Sequence, residues 1–171
     1  MATGLMSGKR GLIMGVANDK SIAWGIAKAC HDAGAELGFT YQGDALGKRV
    51  QPLAASVNSD IVIPCDVSDE ASMDATFATV AERWGKLDFL VHAIGFSDKN
   101  ELKGLYADTT RENFSRTMVI SCFSFTEIAR RAAERMPKGG SMLTLTYGGS
   151  TRIMPNYNVM GVAKAALEAS V

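Results

Sequence analysis

Short β-branched and aliphatic runs alternate with stretches whose apolar residues recur every three or four positions, and the alternation continues from one end of the chain to the other. Residues 11–14, 37–42, 61–65, 87–93 and 142–146 read as buried strands. Between them lie helical patterns. Residues 21–33 place Ile22, Ile26 and Cys30 four apart before Gly34 stops the helix. Residues 44–56 are helical despite Pro52, which costs about 3 kcal/mol inside a helix unless the helix bends. Ser68 is positioned to cap a third helix, with Asp69 and Glu70 in its first turn and Met73, Phe77, Val80 and Trp84 as its buried stripe. After a loop over 95–108, Thr109 and Glu112 have capping-box spacing, and Phe114, Met118, Ser121, Phe125 and Ile128 carry one face of the longest helix toward Arg135. A last helix starts at Asn158.

Five βα units joined by right-handed crossovers predict an α/β fold, a Rossmann-type doubly wound parallel sheet ordered 3-2-1-4-5, with a ligand crevice at the carboxyl ends of strands one and four. No internal repeat or Pro/Gly/Ser linker marks a boundary, so a single dinucleotide-binding domain over 1–171 is expected. The last helix reaches Val171 without a stop signal, which suggests that further strands and helices of the fold lie beyond the given sequence.

Composition narrows the function. Lys+Arg and Asp+Glu each number 18, so no net field draws the chain to nucleic acid or to an anionic membrane. No apolar run reaches transmembrane length and no basic start precedes a long apolar stretch, so the cytoplasm is the expected compartment. Cys30, Cys65 and Cys122 are far apart in apolar surroundings and read as reduced core thiols, and no spacing suggests a metal site.

The candidate chemistry lies at strand ends. The turn Gly15-Val-Ala-Asn-Asp-Lys-Ser21-Ile22-Ala-Trp-Gly25 departs from Gly-x-Gly-x-x-Gly, yet offers a glycine at a tight turn, free amides at a helix start for a pyrophosphate and the Ser21 hydroxyl, with Gly25 allowing close approach to the sheet. Gln42 ends strand two where many NAD sites carry an acid for the ribose hydroxyls. It leaves a 2′-phosphate uncompensated, unless Lys48 or Arg49 swings in, and favours NADH over NADPH. Asp66 and Val67 follow strand three, where an adenine ring would lie, although Asp66 could equally begin a turn. Gly95 ends strand four and lets backbone approach a ligand, whereas His92 reads as a core histidine and His31 as a solvated one. Tyr157 and Lys164, seven apart, would share a helical face: a phenol to donate to an oxygen gaining charge, and an ammonium to hold a cofactor ribose. Tyr147 is the other residue with a chemical role open to it.

At Tyr157 and Lys164 the chain resembles the short-chain dehydrogenase/reductase superfamily, with Gly161 standing where the usual Tyr-x3-Lys pattern has its lysine. Tyr-x6-Lys, with Gly15-x5-Ser21-x-Ala23-x-Gly25, Cys65-Asp66-Val67, His92-Ala-Ile-Gly-Phe96 and Tyr147, is similar to the bacterial NADH-dependent enoyl-acyl-carrier-protein reductases from about Ser7 to Val171. That resemblance implies reduction of trans-2-enoyl thioesters on acyl carrier protein by NADH, in fatty acid synthesis. Tyr157 would bond the developing oxyanion, Lys164 would grip the nicotinamide ribose and Tyr147 would border the acyl chain. Gly15, Ser21, Ile22, Gln42, Asp66, Val67 and Gly95 would contact the cofactor. It also implies a homotetramer with contacts through the fourth and fifth helices, where Phe123 and Phe125 would be buried or interfacial. Family members are longer, so a polypeptide ending at Val171 is expected to expose strand five as an edge and to turn over weakly or not at all. The competing readings are a ketoacyl or carbonyl reductase of the same superfamily, whose usual serine position is occupied by Thr144, and a non-catalytic NADH-binding module.

Overall fold

In the computed structural model, which describes residues 4–171, five strands form a parallel sheet in the order β3-β2-β1-β4-β5. These are β1 (Arg10–Met14), β2 (Glu36–Tyr41), β3 (Ile61–Pro64), β4 (Phe89–His92) and β5 (Ser141–Thr144). The expected strand order is therefore the observed one. β1 lies at the centre, with Ile13 opposite Phe39 of β2 and Val91 of β4. Its Leu12, Ile13 and Met14 are inaccessible to solvent, as a strand covered on both faces requires.

The chain forms two compact units, one running to Ala93 and including Ala129–Leu143, the other comprising Ile94–Ile128 and Thr144–Val171. The first unit holds the sheet and three helices: α1 (Ile22–Asp32), α2 (Gly43–Ser56) and α3 (Glu70–Trp84). Ala23, Trp24 and Ala27 of α1 join Phe39, Val50 and Ala54 in its core. The buried stripe of α1 is thus rotated from the expected Ile22, Ile26 and Cys30, because Trp24 offers the larger apolar area to the sheet and stacks obliquely on Phe39 at 6.2 Å. α3 buries the predicted Met73, Phe77, Val80 and Trp84, but its cap is Asp69, whose carboxylate accepts from the Ala71 amide at 3.0 Å, and not Ser68. α2 continues through Pro52 on its exposed side, where a carbonyl released from the helix can face water.

The second unit contains α4 (Arg111–Met118), a widened π-helical turn (Val119–Phe123), the start of α5 (Ser124–Ala133), and α6 (Asn158–Ser170). The predicted single long helix is interrupted by the widened turn, which inserts a residue and brings both Ser121 and Cys122 inward. Phe125 is buried and Phe123 is exposed, which divides the pair expected to share a covered surface. α4 is capped by Thr110, whose hydroxyl accepts from the Asn113 amide at 3.1 Å. The return half of the box comes from Glu101, which accepts from both the Thr110 amide and hydroxyl at 2.9 Å, replacing the expected Thr109 and Glu112. α6 buries Val159, Met160, Ala163 and Leu167 and packs on α4 and the widened turn.

Among the described residues, no helix is long and apolar enough to cross a membrane. Cys30, Cys65 and Cys122 are free thiols, the last two buried.

Candidate active site

In the first unit, candidate residues gather at the carboxyl ends of β1, β2 and β3. Gly15 follows β1 with φ +98, and a side chain there would collide with the Ala93 carbonyl oxygen. Only glycine permits that approach. Ser21 precedes α1 with its hydroxyl donating to the Asn18 carbonyl at 2.7 Å, so in this structure its proton serves the turn. Ile22 stands next on the first turn, 68% exposed. As first-turn groups, the Ile22 and Ala23 amides have no preceding helical carbonyl to bond, which leaves partial positive charge suited to an anion. Gly25 is exposed with open space about it, so it does not bring α1 against the sheet as expected.

Gln42 and Asp66 meet across the ends of β2 and β3: the Gln42 amide donates to Asp66 Oδ2 at 3.3 Å. Asp66 Oδ1 accepts from the Ser68 amide at 2.8 Å, so Asp66 does begin a turn while presenting its second oxygen to Gln42. Val67 beside it is buried, and His92 in β4 is wholly buried.

In the second unit, Tyr157 is the residue immediately before α6 and Lys164 lies two turns in. Tyr157 sits between Asn156 and Asn158, both at positive φ, +58 and +23. Asparagine tolerates this backbone better than most residues. The Tyr157 ring meets the exposed Tyr147 edge-on, with centroids 5.0 Å apart and planes at 64°. Burial first, and the neighbouring Tyr147 phenol second, push the Tyr157 phenol above its ordinary range, so it is a proton holder.

Lys164 is 7% exposed, and its ammonium donates to the Leu145 carbonyl at 2.8 Å. Desolvation lowers its pKa, opposed by the Cys122 thiol. Lys164 Nζ also lies 3.8 Å from where a Gly95 side chain would begin, with Ser121 Oγ at 3.8 Å and the Met160 methyl at 3.6 Å. Gly95 therefore leaves room directly beside the amine.

A side chain at Gly161 would come to 2.8 Å from the Gly149 carbonyl oxygen, and one at Gly149 would enter the Tyr157 ring. This is why position 161 carries no side chain. A cleft of about 500 Å³ opens beside Tyr157, bounded by Tyr106, the Gly149–Met154 segment and Asn158, Gly161, Val162 and Ala165 of α6. The sequence reading missed the Gly149–Gly161 contact, the Leu145 carbonyl and Asn158; the paired Gly148-Gly149 and the asparagines flanking Tyr157 were the available signals.

The structure thus forms three pairs of candidate residues, Gln42 with Asp66, Tyr147 with Tyr157, and Lys164 with Gly95. A sequence profile described as Enoyl-(Acyl carrier protein) reductase matches residues 15–171. The enoyl-[acyl-carrier-protein] reductase [NADH] 2 of Rhizobium meliloti (strain 1021) is 80% identical over 98% of this chain, which spans 63% of that relative's length. A crystal structure of FabI from Candidatus Liberibacter asiaticus superposes with a TM-score of 0.96 at 64% identity, over 98% of this chain and 65% of the other. The enoyl-(acyl-carrier-protein) reductase of Anaplasma phagocytophilum, crystallised in complex with NAD, gives 0.96 at 58% identity, over 99% of this chain and 65% of the other.

Proposed function

The chain belongs to the enoyl-(acyl carrier protein) reductase family, and from that membership we propose that it carries the nucleotide-binding and catalytic part of an enzyme that reduces trans-2-enoyl thioesters on acyl carrier protein with NADH, in fatty acid synthesis. The observation that carries this reading is the second unit's arrangement of a protonated, half-buried phenol and a buried ammonium on one segment, Tyr157 and Lys164.

Bound NADH would supply a hydride for the β-carbon of the enoyl thioester. Within the first unit, exposed Ile22 and the first-turn amides of α1 would suit the pyrophosphate, and Gln42, Asp66 and Val67 the adenosine; within the second, Gly95 and Lys164 would suit the nicotinamide ribose. Gly15 shapes the turn, and Ser21 can offer its hydroxyl by releasing Asn18. Gln42 carries no charge to balance a 2′-phosphate, which favours NADH. Tyr157 holds its proton and donates a hydrogen bond to the thioester oxygen as negative charge develops there. Tyr147, stacked on its edge, limits how the Tyr157 ring can turn and borders the acyl chain. Lys164, desolvated and held by Leu145, serves as a fixed positive charge. We further propose a cytoplasmic homotetramer as the working form.

The direct test, made on a polypeptide extended to the relatives' full length, is to follow NADH oxidation with crotonyl thioester and, separately, with acetoacetyl thioester. Consumption with crotonyl thioester is expected; consumption with acetoacetyl thioester alone would make this a ketoacyl reductase, for which Thr144 stands in place of the usual serine. Tyr157→Phe removes one preorganised donor and should slow turnover about 100- to 1000-fold while changing the NADH Kd less than threefold.

A further inference from the structure

Three buried polar residues on one stripe of α4 and the widened turn, Asn113, Thr117 and Ser121, bond three consecutive residues that follow β4. Asn113 Oδ1 accepts from the Asp98 amide at 3.0 Å, and the Thr117 hydroxyl donates to Ser97 Oγ at 2.9 Å. Ser121 Oγ accepts from the Phe96 amide at 2.9 Å and contacts the Phe96 carbonyl at 3.0 Å, close enough to donate to it. The helix spacing of four thus runs antiparallel to the chain, 121, 117, 113 against 96, 97, 98. Buried hydroxyls are retained at a desolvation penalty unless paired, and here each is paired to the same short segment.

Resting on the reductase reading, we propose that Ser121 is a positioning residue for the nicotinamide end of the cofactor. Its hydroxyl holds the amide and carbonyl of Phe96 at once, which fixes the Gly95–Phe96 peptide plane. The peptide so fixed borders the space that the missing Gly95 side chain leaves, which begins 3.8 Å from both Lys164 Nζ and Ser121 Oγ and is where a ribose or carboxamide would approach the amine. A π-helical turn delivers the hydroxyl, a local departure often found where function requires one. Arg116, 4.5 Å above the Phe96 ring, steadies the same residue from outside.

The test compares Ser121→Ala, Ser121→Thr and, as a control in the same helical run, Ser124→Ala, whose hydroxyl bonds the Ile120 carbonyl of its own helix. NADH affinity is read by fluorescence titration and folding by melting temperature, independently of crotonyl turnover. Expected are a five- to twentyfold weaker NADH Kd for Ser121→Ala, Ser121→Thr and Ser124→Ala each within twofold of the parent protein, and all variants folded. NADH affinity in Ser121→Ala within twofold of the parent, an equal loss in Ser124→Ala, or no recovery in Ser121→Thr would overturn the proposal. Failure of the parent, extended to the relatives' full length, to reduce crotonyl thioester while binding NADH defeats the reductase reading and leaves the Ser121 comparison decisive; failure to bind NADH defeats both.

Discussion

Lys164, proposed to hold the nicotinamide ribose, shows how a residue in that role would depart from what stability alone would select. A 7% exposed ammonium whose pKa is lowered by desolvation is a buried charge held in tension with its surroundings. Lys164→Met should therefore leave the melting temperature at pH 7 unchanged or raise it by about 2 to 4 °C, the equivalent of about 1 kcal/mol for a chain of this size, while weakening NADH binding at least tenfold. Between the lowered folded pKa and about 10.4, the unfolded lysine binds more protons than the folded one, so the parent gains stability as pH rises through that window. The advantage of Lys164→Met should shrink accordingly between pH 7 and 10 in differential scanning calorimetry. The Tyr157 phenol has the opposite sign: its folded pKa is raised, so its contribution is complete below about 10 and is lost above it. Gly161→Ala, with 2.8 Å from its new carbon to the Gly149 oxygen, should lower the melting temperature by several degrees and reduce activity with it. Tyr157, Lys164 and Gly95 could be proposed from spacing because residue type carries the chemistry assigned to them. The Gly149–Gly161 approach was not, because two glycines do not announce which backbone they admit.

At the level of elements, the strands and helices were legible wherever apolar period and β-branched runs agreed, as in α3 with Met73, Phe77, Val80 and Trp84. What escaped were choices between chemically equal neighbours. Ser68 or Asp69, and Thr109 or Thr110, can all cap a helix, and geometry alone selects one. The widened turn at Val119–Phe123 was equally silent, because a single inserted residue leaves the apolar period on either side intact. α2 carries Pro52, which lacks the amide an interior helical position needs. Pro52→Ala should raise stability by about 1 kcal/mol in urea unfolding followed by far-ultraviolet circular dichroism, with no change in NADH affinity; a loss of stability would show that proline's restriction of the unfolded chain dominates.

For the whole molecule, the strand order 3-2-1-4-5 followed from five βα units and the right-handedness of their crossovers. The division into two compact units did not, because nothing in composition changes at Ala93 or Leu143. Hydrogen exchange should distinguish them internally: the Ile13, Phe39 and Val91 amides, at the centre of the sheet, should exchange on the order of 100-fold more slowly than those of the Gly149–Met154 segment. The register that places Gly11 against Phe89 has a temporal consequence. The 78 residues separating such partners, as between the Arg10 amide and Asp88, take about 4 to 16 s to synthesise at about 5–20 residues per second. On the ribosome, then, the central strand of the sheet is among the first made and must wait for its second neighbour, with one hydrogen-bonding edge open throughout. Whatever shields that edge during synthesis governs how much of the protein reaches its native form.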